Sequence, residues 1–214
     1  MIKKLIRNIL AKFDIDLHRK SYLEKVFANS ISLDKWKYDI KFALEFGSKI
    51  GPDFLKLLEM SKSQTRQDIF VLSELKLKKN GFFVDFGASD GVTFSNSYLL
   101  EKEFGYEGIL AEPNPKQYKN ITNLRNVKIE NKCVWSESGS KLEFVDVADL
   151  STLKKFSDSD MHSNARKNKS TFFVETISLT DMLIKHKAPP LIDYLSIDTE
   201  GSEFEILSAH NFDK

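Results

Sequence analysis

The chain has 214 residues, of which 41% are hydrophobic and 29% are charged, and its formal net charge is +1. These values are those of an ordinary folded domain with an accessory segment, and they give no reason to expect a nucleic-acid partner. The single cysteine, Cys133, excludes an intramolecular disulfide and a thiolate metal cluster. No apolar run approaches the ~20 residues that cross a bilayer, and the amino terminus lacks the apolar core of a signal peptide. We therefore expect a cytoplasmic protein.

Residues 1–62 are predicted to form a helical amino-terminal extension. Apolar side chains recur at helical spacing over residues 2–13, with lysine and arginine between them. Such a helix either packs on the body of the protein, which we favour, or makes a peripheral contact with an anionic membrane surface through residues 1–13. Further helices are predicted over 34–46 and 52–60, with breaks at Gly47 and at Gly51-Pro52.

Residues 63–214 have the pattern of an α/β domain. Four short apolar strands are predicted at residues 82–86, 108–112, 127–130 and 192–198. Helices are predicted at residues 67–79, 95–104, 115–124, 180–187 and from 202 onward. This alternation predicts a parallel sheet flanked by helices, with right-handed crossovers. Residues 142–147 and 171–177 are predicted to pair as antiparallel strands, and the polar stretch 148–170 between them is predicted to be a lid.

Three of the predicted parallel strands end in carboxylates, at Asp85, Glu112 and Asp198. Ligands of open parallel sheets bind outside the carboxyl ends of the strands, so we expect these acids to share one site. The turn after Asp85 contains glycines, which let a ligand approach the backbone, and it opens a helix whose amino terminus carries partial positive charge. Glu112 is placed to accept both hydroxyls of a ribose, an interpretation that we favour over a solvated acid before a turn.

Two cofactors suit this arrangement of a glycine turn and strand-end acids. A dinucleotide site favours the pattern Gly-x-Gly-x-x-Gly, because its second glycine admits the pyrophosphate. Residues 87–91 are instead Gly-Ala-Ser-Asp-Gly, with Ser89 at the place of the middle glycine and with Asp85 and Asp90 flanking the turn. Acids repel a diphosphate but attract the ammonium and sulfonium groups of S-adenosylmethionine. The turn therefore favours S-adenosylmethionine over NAD(P).

Six ordered segments carry a more specific pattern than the turn alone. They are residues 67–72, 81–91 (Gly-Phe-Phe-Val-Asp-Phe-Gly-Ala-Ser-Asp-Gly), 95–97, 111–114, 177–183 and 193–203 (Asp-Tyr-Leu-Ser-Ile-Asp-Thr-Glu-Gly-Ser-Glu). In these segments the chain resembles the FkbM-type methyltransferases. The resemblance implies a class I, Rossmann-like methyltransferase fold that O-methylates a sugar, a glycan or another small molecule. It also implies a cofactor loop of Asp85, Gly87, Ala88 and Gly91, with Glu112 as the ribose-binding acid.

The predicted cofactor-binding residues are Asp85, Gly87, Ala88, Ser89, Asp90, Gly91, Glu112 and Asn114. A hydroxyl acceptor must lose its proton during attack, so a base is expected near the transferred methyl group. We expect Asp198 to be that base, with Glu200 beside it in the catalytic site. Alternatively, the two acids hold a divalent metal such as Mg²⁺, which we do not favour because no third ligand is evident. His162, in the predicted lid, is a weaker candidate for the base.

Members of the resembled family continue beyond the last helix into further strands, whereas this sequence ends at Lys214. We therefore expect the carboxyl-terminal part of the sheet to be missing and the methyltransferase domain, 63–214, to be incomplete. An unpaired edge strand invites a partner, which leaves an oligomer open. The alternatives to a methyltransferase are an NAD(P)-dependent oxidoreductase on a similar sheet and a non-catalytic binding remnant.

Overall fold

A computed structural model describes residues 37–147, 151–157 and 169–212. The chain divides into two compact units, residues 1–48 and 49–214. The predicted domain boundary after residue 62 stays a prediction. Among the described residues, no helix is long and apolar enough to cross a membrane.

The first unit is helical throughout its described residues, and this helix (α1, residues 37–50) runs on to the start of the second unit. Aromatic side chains four residues apart lie on one face of α1 and contact each other. The ring centroids of Tyr38 and Phe42 are 6.2 Å apart, and those of Phe42 and Phe46 are 4.7 Å apart. The predicted break at Gly47 is wrong, because α1 continues through it and ends before Gly51. The predicted helix at 2–13 lies outside the described residues.

The other described elements belong to the second unit. The helices are α2 (Phe54–Met60), α3 (Gln67–Glu74), α4 (Tyr98–Phe104), α5 (Pro115–Leu124), α6 (Leu179–Lys185) and α7 (Glu203–Ser208). The strands are β1 (Phe82–Phe86), β2 (Glu107–Ala111), β3 (Lys128–Glu130), β4 (Cys133–Trp135), β5 (Lys141–Val145), β6 (Thr152–Leu153), β7 (Thr171–Ser178) and β8 (Tyr194–Ile197).

The four predicted parallel strands form one sheet in the order β3-β2-β1-β8. At its centre, Asp85 of β1 pairs with Leu110 of β2 and with Ser196 of β8. All five residues of β1 are buried, as expected of a parallel strand with both faces covered. The prediction of an α/β architecture built on a parallel sheet is confirmed.

A second sheet has the strand order β4-β7-β5-β6. The predicted antiparallel pairing of β5 with β7 is confirmed, and β4 joins β7 in parallel. Strands β4 and β6 were not predicted, because three and two residues are too few to show a period. Buried side chains from all four strands form a small core under this sheet: Cys133, Phe144, Leu153 and Val174.

Helices α3 and α4 are each shorter than predicted by three or more residues, and local backbone geometry explains both differences. Helix α3 ends at Glu74 because Lys76, Leu77 and Asn80 have positive φ angles, which no α-helix accommodates. Helix α4 begins at Tyr98 because the hydroxyl of Ser95 accepts the backbone N–H of Tyr98 and holds the preceding residues in a loop.

The described part of the predicted lid, residues 151–157, is a packed element that contains β6. Thr152 is fully buried, and its hydroxyl lies 3.1 Å from the carbonyl oxygen of Thr199 and 3.0 Å from that of Glu200. These contacts fix β6 against the loop that follows β8. Residues 148–150 and 158–168 of the predicted lid lie outside the described residues.

Asp68, in the first turn of α3, is a fully buried acid. Its Oδ1 atom accepts hydrogen bonds from the Ser61 hydroxyl and the Ile69 N–H, both at 2.8 Å. Its Oδ2 atom has no hydrogen-bond partner in the described part of the chain. Burial raises the pKa of Asp68 to about 6, although the hydrogen bond from Ser61 acts in the opposite direction.

Asp68 should make folding stability depend on pH. Its folded-state pKa is raised, so the folded protein binds the proton more tightly than the unfolded chain. The contribution of Asp68 to the free energy of unfolding should then fall by about 2 kcal/mol as pH rises from about 4 to about 7. Asp68→Asn should remove this component. Urea unfolding at pH 4 and pH 7 measures the difference, with the exposed Asp53→Asn as a control for losing one negative charge. If the free energy of unfolding changed with pH equally in wild type and in Asp68→Asn, the raised pKa of Asp68 would be contradicted.

Candidate functional site

The ends of β1, β2 and β8 meet at one edge of the parallel sheet, as the sequence predicts. Backbone hydrogen bonds continue past the strands and hold the segments that follow them. The N–H of Gly87 donates to Ala111, that of Asp198 donates to Phe86, and that of Glu112 donates to Glu130. The glycine turn, Glu112 and Asp198 are thereby fixed next to one another.

Two cavities open at this edge, and with the solvent at their mouths included they enclose about 520 and about 740 Å³. The smaller one, the apolar cavity, is lined mainly by Phe86, Ala111, Cys133, Val134, Phe144 and Leu153, with Glu112 at its wall. The larger one, the polar cavity, is lined mainly by Gln64, Asp85, Thr93, Ser95, Asn96 and Glu200, together with Ala88 and Phe94. The two cavities share Gly87, Ser89 and Asp198.

Gly87 is required by the packing of the protein itself. It has a φ of +84°, and a Cβ atom added there would lie 1.7 Å from the carbonyl oxygen of Asp198. The backbone after β8 therefore requires a glycine here by itself, and the expectation that this turn lets a ligand approach stays a prediction. Ser89, at the place of a middle glycine, has a φ of +46°. This serine adopts the left-handed conformation that a glycine would favour.

Glu112 is buried and connects the glycine turn to the end of β2. Its Oε2 atom accepts the N–H of Ser89 at 2.9 Å, and its Oε1 atom accepts the N–H of Asn114 at 2.8 Å. The alternative of a solvated strand-end acid is wrong, since only 6% of Glu112 is exposed.

Asp90 and Asn114 have local structural roles. The Asp90 carboxylate accepts the N–H groups of Val92 and Thr93 at 2.8 and 2.7 Å. Partial burial acts to raise the pKa of Asp90, but these hydrogen bonds hold it below its ordinary value. Asn114 caps α5 by accepting the N–H of Lys116, and its amide donates to Asp146 at 2.9 Å. Neither side chain is among those that line the two cavities, so their cofactor-binding role stays a prediction.

The Gly91 carbonyl accepts a hydrogen bond from Arg125, a residue at the end of α5 that the sequence analysis did not identify. The Arg125 side chain is fully buried, and its Nε atom forms an ion pair with Glu101. Its Nη1 atom lies 2.6 Å from the Gly91 oxygen, and its Nη2 atom lies 3.1 Å from the Ser97 hydroxyl. No pattern in the sequence distinguishes this arginine from a solvated one near the end of a helix.

Asp85 is buried behind the turn and lines the polar cavity. The Ser97 hydroxyl donates to its Oδ2 atom at 2.6 Å. Burial raises the pKa of Asp85, while the hydrogen bond from Ser97, the positive charge of Arg125 and a hydrogen bond with Ser196 act against that rise.

The segment Ser95-Asn96-Ser97 connects this acid to two other parts of the molecule. Asn96 accepts the Ser63 hydroxyl at 2.8 Å and donates to the Ser196 hydroxyl of β8 at 3.3 Å. Residues 63 and 94 also form an isolated parallel bridge. The loop before α3 is thus fixed to the wall of the polar cavity.

Asp198 lies at the boundary between the two cavities, and Glu200 lines the polar one. Burial, together with the negative charges of Asp85 and Glu203, raises the pKa of Asp198. Glu203 accepts the N–H groups of Thr199 and Gly201, both at 3.0 Å, and so stabilises the turn between β8 and α7.

The alternative in which Asp198 and Glu200 bind a metal ion would need further ligands close to them. Within the described ranges, no group of three or more histidine, cysteine, aspartate or glutamate residues is arranged to hold a metal ion. His162 lies outside the described residues. The catalytic assignment of Asp198 and Glu200 stays a prediction.

Comparison with known proteins identifies the family. The model of the methyltransferase FkbM domain matches residues 85–214, which is more than half of the chain. The match begins at the acid near the end of β1 and includes the glycine turn, Glu112 and the loop after β8. Neither a search of curated proteins nor a search of solved structures found a match. The resemblance seen in the sequence is confirmed, and the chain belongs to the FkbM methyltransferase family.

Proposed function

We propose that this protein transfers a methyl group from S-adenosylmethionine to a hydroxyl oxygen of a sugar, a glycan or a related small molecule. Membership of the FkbM family supports methyl transfer. The observation that carries the proposal is the pair of cavities that meet at Gly87, Ser89 and Asp198, with Glu112 at the wall of one of them. A ligand with an apolar ring at one end and a charged group at the other fits this pair.

The residues present fit S-adenosylmethionine. The apolar cavity, with Phe86, Val134 and Leu153, suits a flat adenine ring. The carboxylate of Glu112 suits the hydroxyls of a ribose, and the acid of Asp85 in the polar cavity suits an ammonium group. A dinucleotide fits less well, because its diphosphate would meet these acids without a facing cation on the glycine turn.

Asp198 supplies the base in this proposal. The bound cofactor supplies an electrophilic methyl group, and Asp198 accepts the proton of the attacking hydroxyl from the polar cavity. The raised pKa of Asp198 makes its carboxylate a stronger base than an ordinary aspartate. Holding donor and acceptor in line adds a positioning effect that is typically ~7–11 kcal/mol.

The polar cavity suits a polyhydroxylated acceptor. Gln64, Thr93 and Asn96 offer hydrogen-bond donors and acceptors along its wall. Phe94 exposes 53% of its surface at the same cavity and has a φ of +57°. A bulky residue at positive φ is strained, and such strain concentrates at binding sites. An exposed aromatic ring among polar groups is suited to the apolar face of a sugar.

Glu112→Gln should weaken the binding of S-adenosylhomocysteine, the product form of the cofactor. The substitution keeps the size of the side chain but removes its charge and one acceptor oxygen. Losing one charge-assisted hydrogen bond costs about 1.5–3 kcal/mol, which corresponds to an affinity lower by about tenfold to a hundredfold. Isothermal titration calorimetry gives the dissociation constant. Glu107→Gln, at the exposed opposite end of β2, is the matched control and should bind like wild type.

Two results of this titration would count against the cofactor assignment. An unchanged dissociation constant in Glu112→Gln would remove Glu112 from the binding site. Binding of NAD or NADP by the wild-type protein, without binding of S-adenosylhomocysteine, would move the proposal to an oxidoreductase.

Asp198→Asn should lower the turnover rate by roughly 10²–10⁴-fold, the usual effect of losing a general base, with little change in cofactor affinity. Transfer of tritium from S-adenosyl-[methyl-³H]methionine to a panel of sugars and sugar derivatives first identifies a methylated acceptor, and turnover is then measured with it. In wild type the rate should rise with pH through the raised pKa of Asp198, because only the carboxylate accepts a proton.

Glu200→Gln and EDTA distinguish the base from a metal ligand. If Asp198 acts as the base, activity should survive EDTA, and Glu200→Gln should be affected far less than Asp198→Asn. If the two acids instead bind a metal, both variants and EDTA should stop the reaction, and added Mg²⁺ should restore it in wild type. Near wild-type turnover in Asp198→Asn would contradict both roles.

A further inference from the structure

We infer that Arg125 is a positioning residue, which holds the glycine turn in the shape that binds the cofactor and, through Ser97, favours the ionised form of the Asp85 carboxyl. The inference rests on the proposed function, in which Asp85 faces the ammonium group of the cofactor. It concerns a side chain that lines neither cavity and acts through the residues that do.

The first part of this role is mechanical. The Arg125 guanidinium donates to the Gly91 carbonyl at 2.6 Å and to the Ser95 hydroxyl at 3.2 Å. These two groups lie at the end of the glycine turn and in the loop that follows it. A Cβ atom added at Gly91 would lie 3.2 Å from the Arg125 side chain, so turn and arginine are in close contact. The shape of the turn therefore depends on where α5 places this guanidinium.

The second part is electrostatic and passes through Ser97. The Nη2 atom of Arg125 lies 3.1 Å from the Ser97 hydroxyl, which in turn donates to Asp85 at 2.6 Å. A hydroxyl that accepts a hydrogen bond from a cation donates more strongly to a carboxylate. Ser97 is fully buried, so water does not screen this connection.

The groups that face Asp85 show why the charge of Arg125 matters for the ionisation of its carboxyl. Within the described residues they are the carboxylate of Asp198, the phenol of Tyr194, the hydroxyls of Ser97 and Ser196, and the guanidinium of Arg125. Arg125 is the cation of this set. Burial and the Asp198 charge both favour the protonated form of Asp85, and the arginine opposes them.

Glu101 does not cancel the charge of Arg125 at Asp85. The Glu101 carboxylate is shared with the Lys102 ammonium at 2.6 Å and with the Asn126 N–H at 2.9 Å. It contacts the Nε atom of Arg125, whereas Nη1 and Nη2 point to the turn and to Ser97. Glu101 thus binds one edge of the guanidinium, while the other two nitrogens donate hydrogen bonds to the glycine turn and to Ser97.

The test compares Arg125→Met, which keeps the apolar stem without the charge, with Ser97→Ala, which removes only the connecting hydroxyl. The side-chain carboxyl of Asp85 is observed directly by ¹³C NMR and assigned by its absence in Asp85→Asn. In both variants its titration should move to higher pH, further in Arg125→Met.

Binding of S-adenosylhomocysteine is the second readout. At pH 7 the dissociation constant should rise at least tenfold in Arg125→Met. It should recover partly as pH rises to 8, because the ionised form of Asp85 binds the ammonium group. Arg66→Met is the matched control, since Arg66 is equally buried but donates to the Ser61 carbonyl, away from the turn. It should lower stability without changing the titration of Asp85.

One result would overturn the inference: an unchanged Asp85 titration in Ser97→Ala and in a folded Arg125→Met. If Arg125→Met fails to fold, the Asp85 titration in Ser97→Ala alone tests the inference. If wild type does not bind S-adenosylhomocysteine, the proposed function fails, and the NMR titration still decides the role of Arg125.

Discussion

The parallel pairing of β1 with β2 on one side and with β8 on the other determines where the functional groups of this protein lie. In this register the three strands end at the same edge of the sheet, and the turn after β1 lies against the backbone after β8. The contact between Gly87 and the Asp198 carbonyl is so close that a Cβ atom would collide with it. The glycine turn and the backbone that carries Asp198 are therefore packed directly against each other.

The edge of the sheet concentrates three acids, of which Asp85 and Glu112 are buried and Asp198 is exposed, and their surroundings differ. Glu112 receives two backbone N–H groups, and Asp85 receives a hydroxyl supported by a guanidinium. Asp198 has negative neighbours and a raised pKa. Differences in environment assign different chemistry to similar carboxyl groups. The two acids with hydrogen-bond donors suit binding, while Asp198, which has negative neighbours instead, suits the proton transfer that we propose.

Sequence patterns predicted the parts of this site that depend on local chemistry. The apolar strand before a glycine turn located β1, and strand-end acids located Glu112 and Asp198, because period and turn chemistry are visible over a few residues. Arg125, Phe144 and Leu153 were not predicted. Each reaches the site by tertiary packing from an element far away in sequence, and β6, which carries Leu153, is too short to show a period. The packing role of Gly87 was not predicted for the same reason, since the backbone that it contacts is more than a hundred residues away in sequence.

The second sheet gives the apolar cavity a wall that is tied to the loop after β8. Phe144 and Leu153 line that cavity from β5 and β6. The neighbouring Thr152 is fully buried and hydrogen-bonds the carbonyl oxygens of Thr199 and Glu200. These hydrogen bonds are partly shielded from water, so losing them would destabilise the contact between β6 and the loop. The wall against which a ring would pack and the loop that carries Asp198 are consequently held in one arrangement. In the reaction that we propose, a cofactor in the apolar cavity would meet an acceptor site that is already organised, which is how positioning lowers a reaction barrier.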